Sequence, residues 1–272
     1  MQSELELPTK VHKAKQTRKL KPHPRVRKLA WLTLSITVAI GVWWLLSVLP
    51  GTKESFPNPV AVASAVGTML GRGVLFSDIG SSLFSVIWGF VFGFIFALPI
   101  AILMAWYKPL ENIIGPWIQF IRSIPPLAYV PLVVVSAGIG AKAQIIVICI
   151  ATFLVMTVTI YQGVVNIDPT LIKAARVLGA RDRDIFVHVI VPAATPYIIT
   201  AVRLGATTAL TTLIAAESTG AEAGLGMRIQ SLSQTFDMAP MMLYIIIIGI
   251  IGITLDKLIR MFERKVTKWQ DK

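Results

Sequence analysis

Apolar residues in this chain fall in long continuous runs, without the alternation of a half-buried strand or the narrow stripe of a surface helix. Residues 29–49, 79–107 and 143–165 contain no Asp, Glu, Lys or Arg. Residues 113–140 and 189–216 are equally long and hold one arginine each, Arg122 and Arg203. A sixth run starts at Met238 and continues as a helix past Asp256 toward Arg264. A bilayer core about 30 Å thick takes roughly 20 helical residues, because lipid satisfies no bare backbone group. The pattern predicts an all-α membrane protein with six transmembrane helices, near residues 29–49, 79–107, 113–140, 143–165, 189–216 and 238–258. This transmembrane domain, 29–265, lies between a basic tail, 1–28, and a short tail, 266–272. Residues 60–70 are apolar but too short to cross, and after the helix-breaking Phe56-Pro57-Asn58-Pro59 they read as an interfacial helix.

Composition agrees. Of 272 residues, 55% are hydrophobic and 15% charged, and the mean hydropathy is +0.71, too apolar for one water-soluble core. The formal net charge is +12, and 20 of the 26 Lys and Arg lie in the basic tail, at Lys108, in the loop 166–188 and after Leu255. The positive-inside rule makes that side cytoplasmic, both termini included, and leaves Lys53, Arg72, Lys142 and Arg228 on the other. The charge therefore encodes topology; no aromatic-interleaved basic patch points to nucleic acid. The first run reads as a retained anchor, because Ser47-Val48-Leu49-Pro50-Gly51 offers no small-x-small cleavage site.

Catalytic signatures are missing. Cys149 is the single cysteine, and His12, His23 and His188 have no ligand spacing, so metal and redox chemistry find no support. The sequence has no GxxxxGK[ST] phosphate loop, no GxSxG and no paired carboxylates, so this chain does not itself hydrolyse ATP. Carboxylates are also absent from the apolar runs, the sixth taken to Leu255, which leaves a proton or sodium relay little to work with. What remains is a passive channel, a scaffold, or a permease driven by another subunit.

The loop 166–188 discriminates between these. Asp168 is placed to cap a helix, Pro169 to begin it and Gly179 to end it. Leu171, Ala174, Ala175 and Leu178 form an apolar stripe with small residues at its centre. Asp182 and Asp184 then open a second helix carrying Ile185, Phe186 and Val189 before Pro192. Ala174-Ala175, Gly179 and the Val189-x-Val191-Pro192 ending resemble the EAA motif of membrane subunits of binding-protein-dependent ABC importers, with Lys173 where that motif has glutamate. Four further stretches resemble the taurine, sulfonate and nitrate permease group. They are Arg122-Ser123-Ile124-Pro125-Pro126, Gly138-Ile139-Gly140, Ala216-Glu217 with Gly224-Leu225-Gly226, and a tail ending at Trp269.

The resemblance implies a type I ABC importer permease in the bacterial inner membrane, non-catalytic and without a cofactor of its own. It implies a homodimer, two cytoplasmic ATP-binding subunits that bind ATP and Mg, and an extracytoplasmic solute-binding protein. It assigns coupling to the ATPase to Leu171, Lys173, Ala174, Ala175, Leu178, Gly179, Ala180 and Phe186. The implied solute is small and anionic or zwitterionic, such as taurine or an aliphatic sulfonate; nitrate, bicarbonate and aromatic or pyrimidine-like precursors are alternatives.

Three features bear on a pathway. Pro116, Pro125, Pro126 and Pro131 interrupt the third run, which places residues 122–131, with Arg122, beside the translocation path or makes the prolines packing kinks. Arg203, halfway along the fifth run, either guides an anion or bonds a neighbouring helix. Glu217, Ser218 and Thr219, with Gly224 and Gly226, form an external gate, a binding-protein contact or a capping turn. Gly89 and Gly93 form a GxxxG that permits close helix packing, and Trp31, Trp43, Trp44 and Trp106 read as interface-belt residues.

Overall fold

The computed structural model describes residues 24–219 and 221–266; most of the basic tail and residues 267–272 lie outside the described residues. Each crossing segment must close its own backbone hydrogen bonds, and among the described residues the regular structure is helical throughout. The helices are α1 (Pro24–Val48), α2 (Pro59–Gly71), α3 (Val74–Trp106), α4 (Lys108–Arg122), α5 (Pro126–Ala137), α6 (Ala141–Val165), α7 (Pro169–Val177), α8 (Asp182–Ile185), α9 (Val191–Ser218), α10 (Leu225–Gln234) and α11 (Met238–Val266). A π turn over Phe186–Ile190 joins α8 to α9, so helix continues from Asp182 to Ser218.

The core is built where α6 packs between α3 and α9. Ala97 and Ala101 of α3, Met156 and Ile160 of α6 and Ala201 of α9 form one fully buried cluster. Val86, Ile148, Ala209 and Leu213 form another. Between lipid-bathed helices no hydrophobic force favours contact, so attraction depends on close van der Waals approach. The GxxxG pair supplies it: a Cβ on Gly89 would sit 2.7 Å from Cβ of Ile148, and one on Gly93 would overlap the Thr152 hydroxyl. Gly163 under Tyr197 and Gly205 under Met156 bring α6 and α9 together in the same way. Polar side chains at these contacts are mostly paired: Ser85 Oγ donates to Gln144 Oε1 at 2.6 Å and Thr152 Oγ1 to the Ile148 carbonyl at 2.7 Å.

The structure refines this picture and corrects one expectation. Residues 113–140 are interrupted as the prolines imply, and α4 and α5 meet at 101° across Ser123-Ile124-Pro125. Pro126 holds Pro125 in an extended conformation, φ −56° and ψ 136°, and a helix cannot pass through it. Five helices are therefore long and apolar enough to cross, and a sixth span requires the bent pair to count as one. Helix α2, too short to cross, packs on the bundle: Val62, Ala65 and Met69 meet Leu225 and Leu232 of α10 and Leu243 and Tyr244 of α11. Pro192 lies at the second position of α9, just after a π turn in which the Val191 N–H donates to the Phe186 carbonyl. Finally, carboxylates are present in helices of spanning length: Asp78 in α3, Glu217 in α9, and Asp256 and Glu263 in α11.

Helix α1 stands apart, with Trp43 Nε1 donating to the Pro57 carbonyl at 3.0 Å. The loss of close approach at the core is directly measurable. Gly93→Val should lower the midpoint of thermal unfolding in detergent by an amount matching about 1–3 kcal/mol of overpacking. Gly80→Val, where an added Cβ meets nothing within 4 Å, should leave it close to wild type.

Candidate functional site

The long α9 rod ends on a different arrangement at each side. At its start stands α7. Asp168 Oδ1 accepts the Thr170 N–H at 2.8 Å, and that bond holds the Asp168 carboxyl below its usual value. The cap is therefore intact above about pH 3.9 and is lost as pH falls through the lower value of the folded chain. The helix ends two residues earlier than Gly179: Leu178 is its C-cap and Gly179 follows at φ +80°. Gly179 N donates to the Arg176 carbonyl at 3.0 Å and Ala180 N to the Ala175 carbonyl at 3.1 Å, a Schellman closure that needs the left-handed residue.

This closure sorts the side chains. Ile172, Ala175 and Ala180 turn inward onto Ile167, Ile185, Ile190 and Ala194. Leu171, Lys173, Ala174, Val177 and Leu178 turn outward; Val177 is 88% and Leu178 86% exposed. The outward apolar face is thus 171, 174, 177 and 178, with Val177 added and Ala175 withdrawn relative to the sequence reading. Phe186 also turns to the body of the bundle, edge-on to Trp106 at 6.1 Å between ring centroids. An exposed ion pair, Arg176 to Asp182 at 3.5 Å, links α7 to α8 and contributes little by itself.

At the far end of α9 the chain is clamped. Glu217 is fully buried; its Oε1 accepts from Ser82 Oγ at 2.6 Å and its Oε2 from the Gly226 N–H at 2.6 Å. Ser82 Oγ in turn accepts from the Leu225 N–H at 2.8 Å. Asp78, also fully buried, takes Arg228 Nε at 2.9 Å, Tyr244 Oη at 2.8 Å and the Gly224 N–H at 3.1 Å. The hydrogen-bonded Asp78 carboxylate holds the Arg228 guanidinium above its ordinary pKa. Gly224 and Gly226 lie directly against the Glu217 carboxylate, leaving no room for a side chain. Glu217, Gly224 and Gly226 are consequently internal fasteners of the loop into α10, and offer no surface to a partner in this conformation. Ser218 is half-buried with its hydroxyl on the Ile214 carbonyl at 2.6 Å, and Thr219 is exposed. Asp78 escaped the sequence reading because α3 begins five residues earlier than its uncharged run; the spacing 78, 82, 85, 89, 93 on one helical face was the available signal.

The arginines are placed differently from each other. Arg203 is bound to Glu263 and lies 3.9 Å from Asp256, both on α11, beside a crevice of about 250 Å³ that also meets Thr207 and Thr211. Arg122 is exposed at the end of α4 and donates to Gln119 Oε1 at 3.0 Å. Pro125 and Pro131 are exposed and Pro126 half-buried, around the bend between α4 and α5. Among the described residues, Arg122 and Arg203 share no hydrogen-bond partner and no cavity.

Because Asp78 serves three donors, Asp78→Ala should cost about 3–5 kcal/mol, the range for stranding one partner of a buried ion pair. Limited proteolysis should then cut between residues 219 and 237 in the variant and spare the wild type.

This architecture has known relatives. The family model for the inner membrane component of binding-protein-dependent transport systems matches residues 89–268. A probable ABC transporter permease of Brucella abortus (strain 2308) is 43% identical over 248 residues, covering 91% of this chain and 98% of that protein. The taurine transport system permease of Escherichia coli (strain K12) is 31% identical over 263 residues, covering 92% and 96%. A chain of the MetNI methionine ABC transporter, solved in an inward-facing conformation, shares the fold with a TM-score of 0.64 at 21% identity, over 71% of this chain and 95% of that one. Permeases of this kind are non-catalytic and leave ATP to a partner chain. The helical bundle, the loop between its fourth and fifth apolar runs and these matches together place the chain in the family of binding-protein-dependent transport system inner membrane components, as a multi-pass ABC importer permease.

Proposed function

We propose that this permease forms the translocation pathway for a small anionic or zwitterionic solute, with taurine or an aliphatic sulfonate as the solute class, and that it couples to a separate ATPase through residues 169–186. The observation that carries the coupling is α7: a short helix, fixed at both ends by capping, that turns Val177 and Leu178 almost wholly outward. A soluble partner surface removes that apolar area from water, whereas a scaffold or passive channel has no use for it. The small Ala174 allows close backbone approach between the two larger side chains. Lys173 stands on the same outward side and replaces the carboxylate of the motif, so it favours an acidic patch on the partner.

In this reading two copies of the chain face each other, each seated on one ATP-binding subunit. The termini and α7 lie on the cytoplasmic side, where 20 of the 26 basic residues fall. An extracytoplasmic binding protein delivers the solute at the α10 end. Closure of the ATPase pair moves α7, and ATP biases the equilibrium only as far as it binds the closed arrangement more tightly. Arg203, held in place by the carboxylates of α11, and separately Arg122 with the prolines at 125, 126 and 131 are assigned to the translocation pathway in this reading. The sulfonate class rests on the taurine permease relative, which spans nearly the whole chain.

Leu178→Glu should leave membrane insertion unchanged while lowering recovery of the ATPase subunit with the permease about tenfold, as expected for loss of an apolar anchor. Recovery at the wild-type level would remove α7 from the interface. In vesicles holding the permease, its ATPase and its binding protein, labelled taurine should accumulate only when ATP is inside, and an ion gradient alone should drive none. Uptake of nitrate in place of any sulfonate would reassign the solute.

A further inference from the structure

Helix α3 carries an aromatic residue at every fourth position on its outer side, Phe84, Trp88, Phe92 and Phe96, and all four are exposed. The rings support each other: Phe84 meets Trp88 edge-on at 6.3 Å and Trp88 stacks on Phe92 at 5.6 Å. A different face of the same helix is drawn against α6 by Gly89 and Gly93. The aromatic ridge therefore stands up beside α6, where Ile145, Cys149 and Ile150 are shorter. A groove of about 500 Å³ runs between them, and Lys142 sits at its mouth.

The groove is apolar along its length, and the aliphatic stem of Lys142 lines one end of it, leaving the ammonium group at the surface. Lys142 is the second residue of α6, is exposed, and makes no ion pair among the described residues. From Phe84 to Phe96 the ridge extends about 18 Å at 1.5 Å per residue, close to one leaflet of a hydrocarbon core about 30 Å thick. A helix from another protein chain would fill the apolar part but press Lys142 against apolar side chains. A phospholipid suits both parts at once, because it joins a hydrocarbon chain to an anionic headgroup.

We propose that this groove binds one anionic phospholipid per chain, with an acyl chain between the aromatic ridge and α6 and the phosphate on Lys142. The site lies at the end of α6 remote from α7, so it takes lipid from the leaflet opposite the docking loop. It is independent of the ATPase contact and of the solute.

The test uses the detergent-extracted protein exchanged into mixed phosphatidylglycerol and phosphatidylcholine, with retained lipid counted by native mass spectrometry. Wild type should hold phosphatidylglycerol in preference. Lys142→Glu should cut that retention about fivefold, the effect of one basic residue near an anionic headgroup, with an unchanged thermal midpoint. Cys149→Trp, which fills the groove, should reduce retention of both lipids. Equal phosphatidylglycerol retention by wild type and Lys142→Glu overturns the proposal. So does an oxidant-induced Cys149 to Cys149 cross-link in membranes, which would put a second copy of the chain on this face.

Discussion

Backbone contact between α3 and α6 at Gly89 and Gly93 fixes the rest of the bundle. Two lipid-facing helices gain nothing from leaving water, so their attraction rises only as their surfaces come within van der Waals range. Removing two side chains on α3 lets Ile148 and Thr152 fill the vacated space. Once α6 is set, α9 follows, seated by Gly163 and Gly205 against Tyr197 and Met156. The aromatic ridge on the outside and the polar clamp at one end are consequences of how α3 is rotated on that contact.

One stripe of α3 shows the gradation. Asp78, Ser82 and Ser85 occupy its beginning, Gly89 and Gly93 its middle, and Ala97 and Ala101 its end, all buried. The polar members are tolerated because each meets a partner: Asp78 meets Arg228 and Tyr244, Ser82 meets Glu217, and Ser85 meets Gln144. An unpaired carboxylate there would carry the full cost of desolvation. The small members let helices approach where no polar partner is available. The same face thus holds the bundle by hydrogen bonds at one end and by packing at the other.

Much of this was readable from residues alone. Long apolar runs locate α1, α3, α6, α9 and α11, since a run of that length in lipid closes its own backbone bonds only as a helix. The caps of α7 were legible in Asp168, Pro169 and Gly179, because each residue type answers a specific terminal need. The clamp was not, because Asp78 pairs with residues 150 and 166 positions away, and sequence spacing carries no record of such a meeting. A charged residue just outside an uncharged run looks like a boundary, when here it is the fastening point. The turn at Pro125 was legible as an interruption but not as an angle; direction is set by what α5 packs on, Val147 of α6 and Ala216 of α9.

The π turn at Phe186–Ile190 accommodates one residue more than an α-helical turn would hold, and so offsets the phase of everything before it by about 100°. Ile185 comes to lie over Ile190 and Ala194, a five-then-four rhythm that an unbroken α-helical wheel would split between faces. The azimuth of α7 and α8 is thereby decoupled from that of the rod they feed. Chain length at a single turn can re-aim the peripheral device while the interior keeps its own bearing.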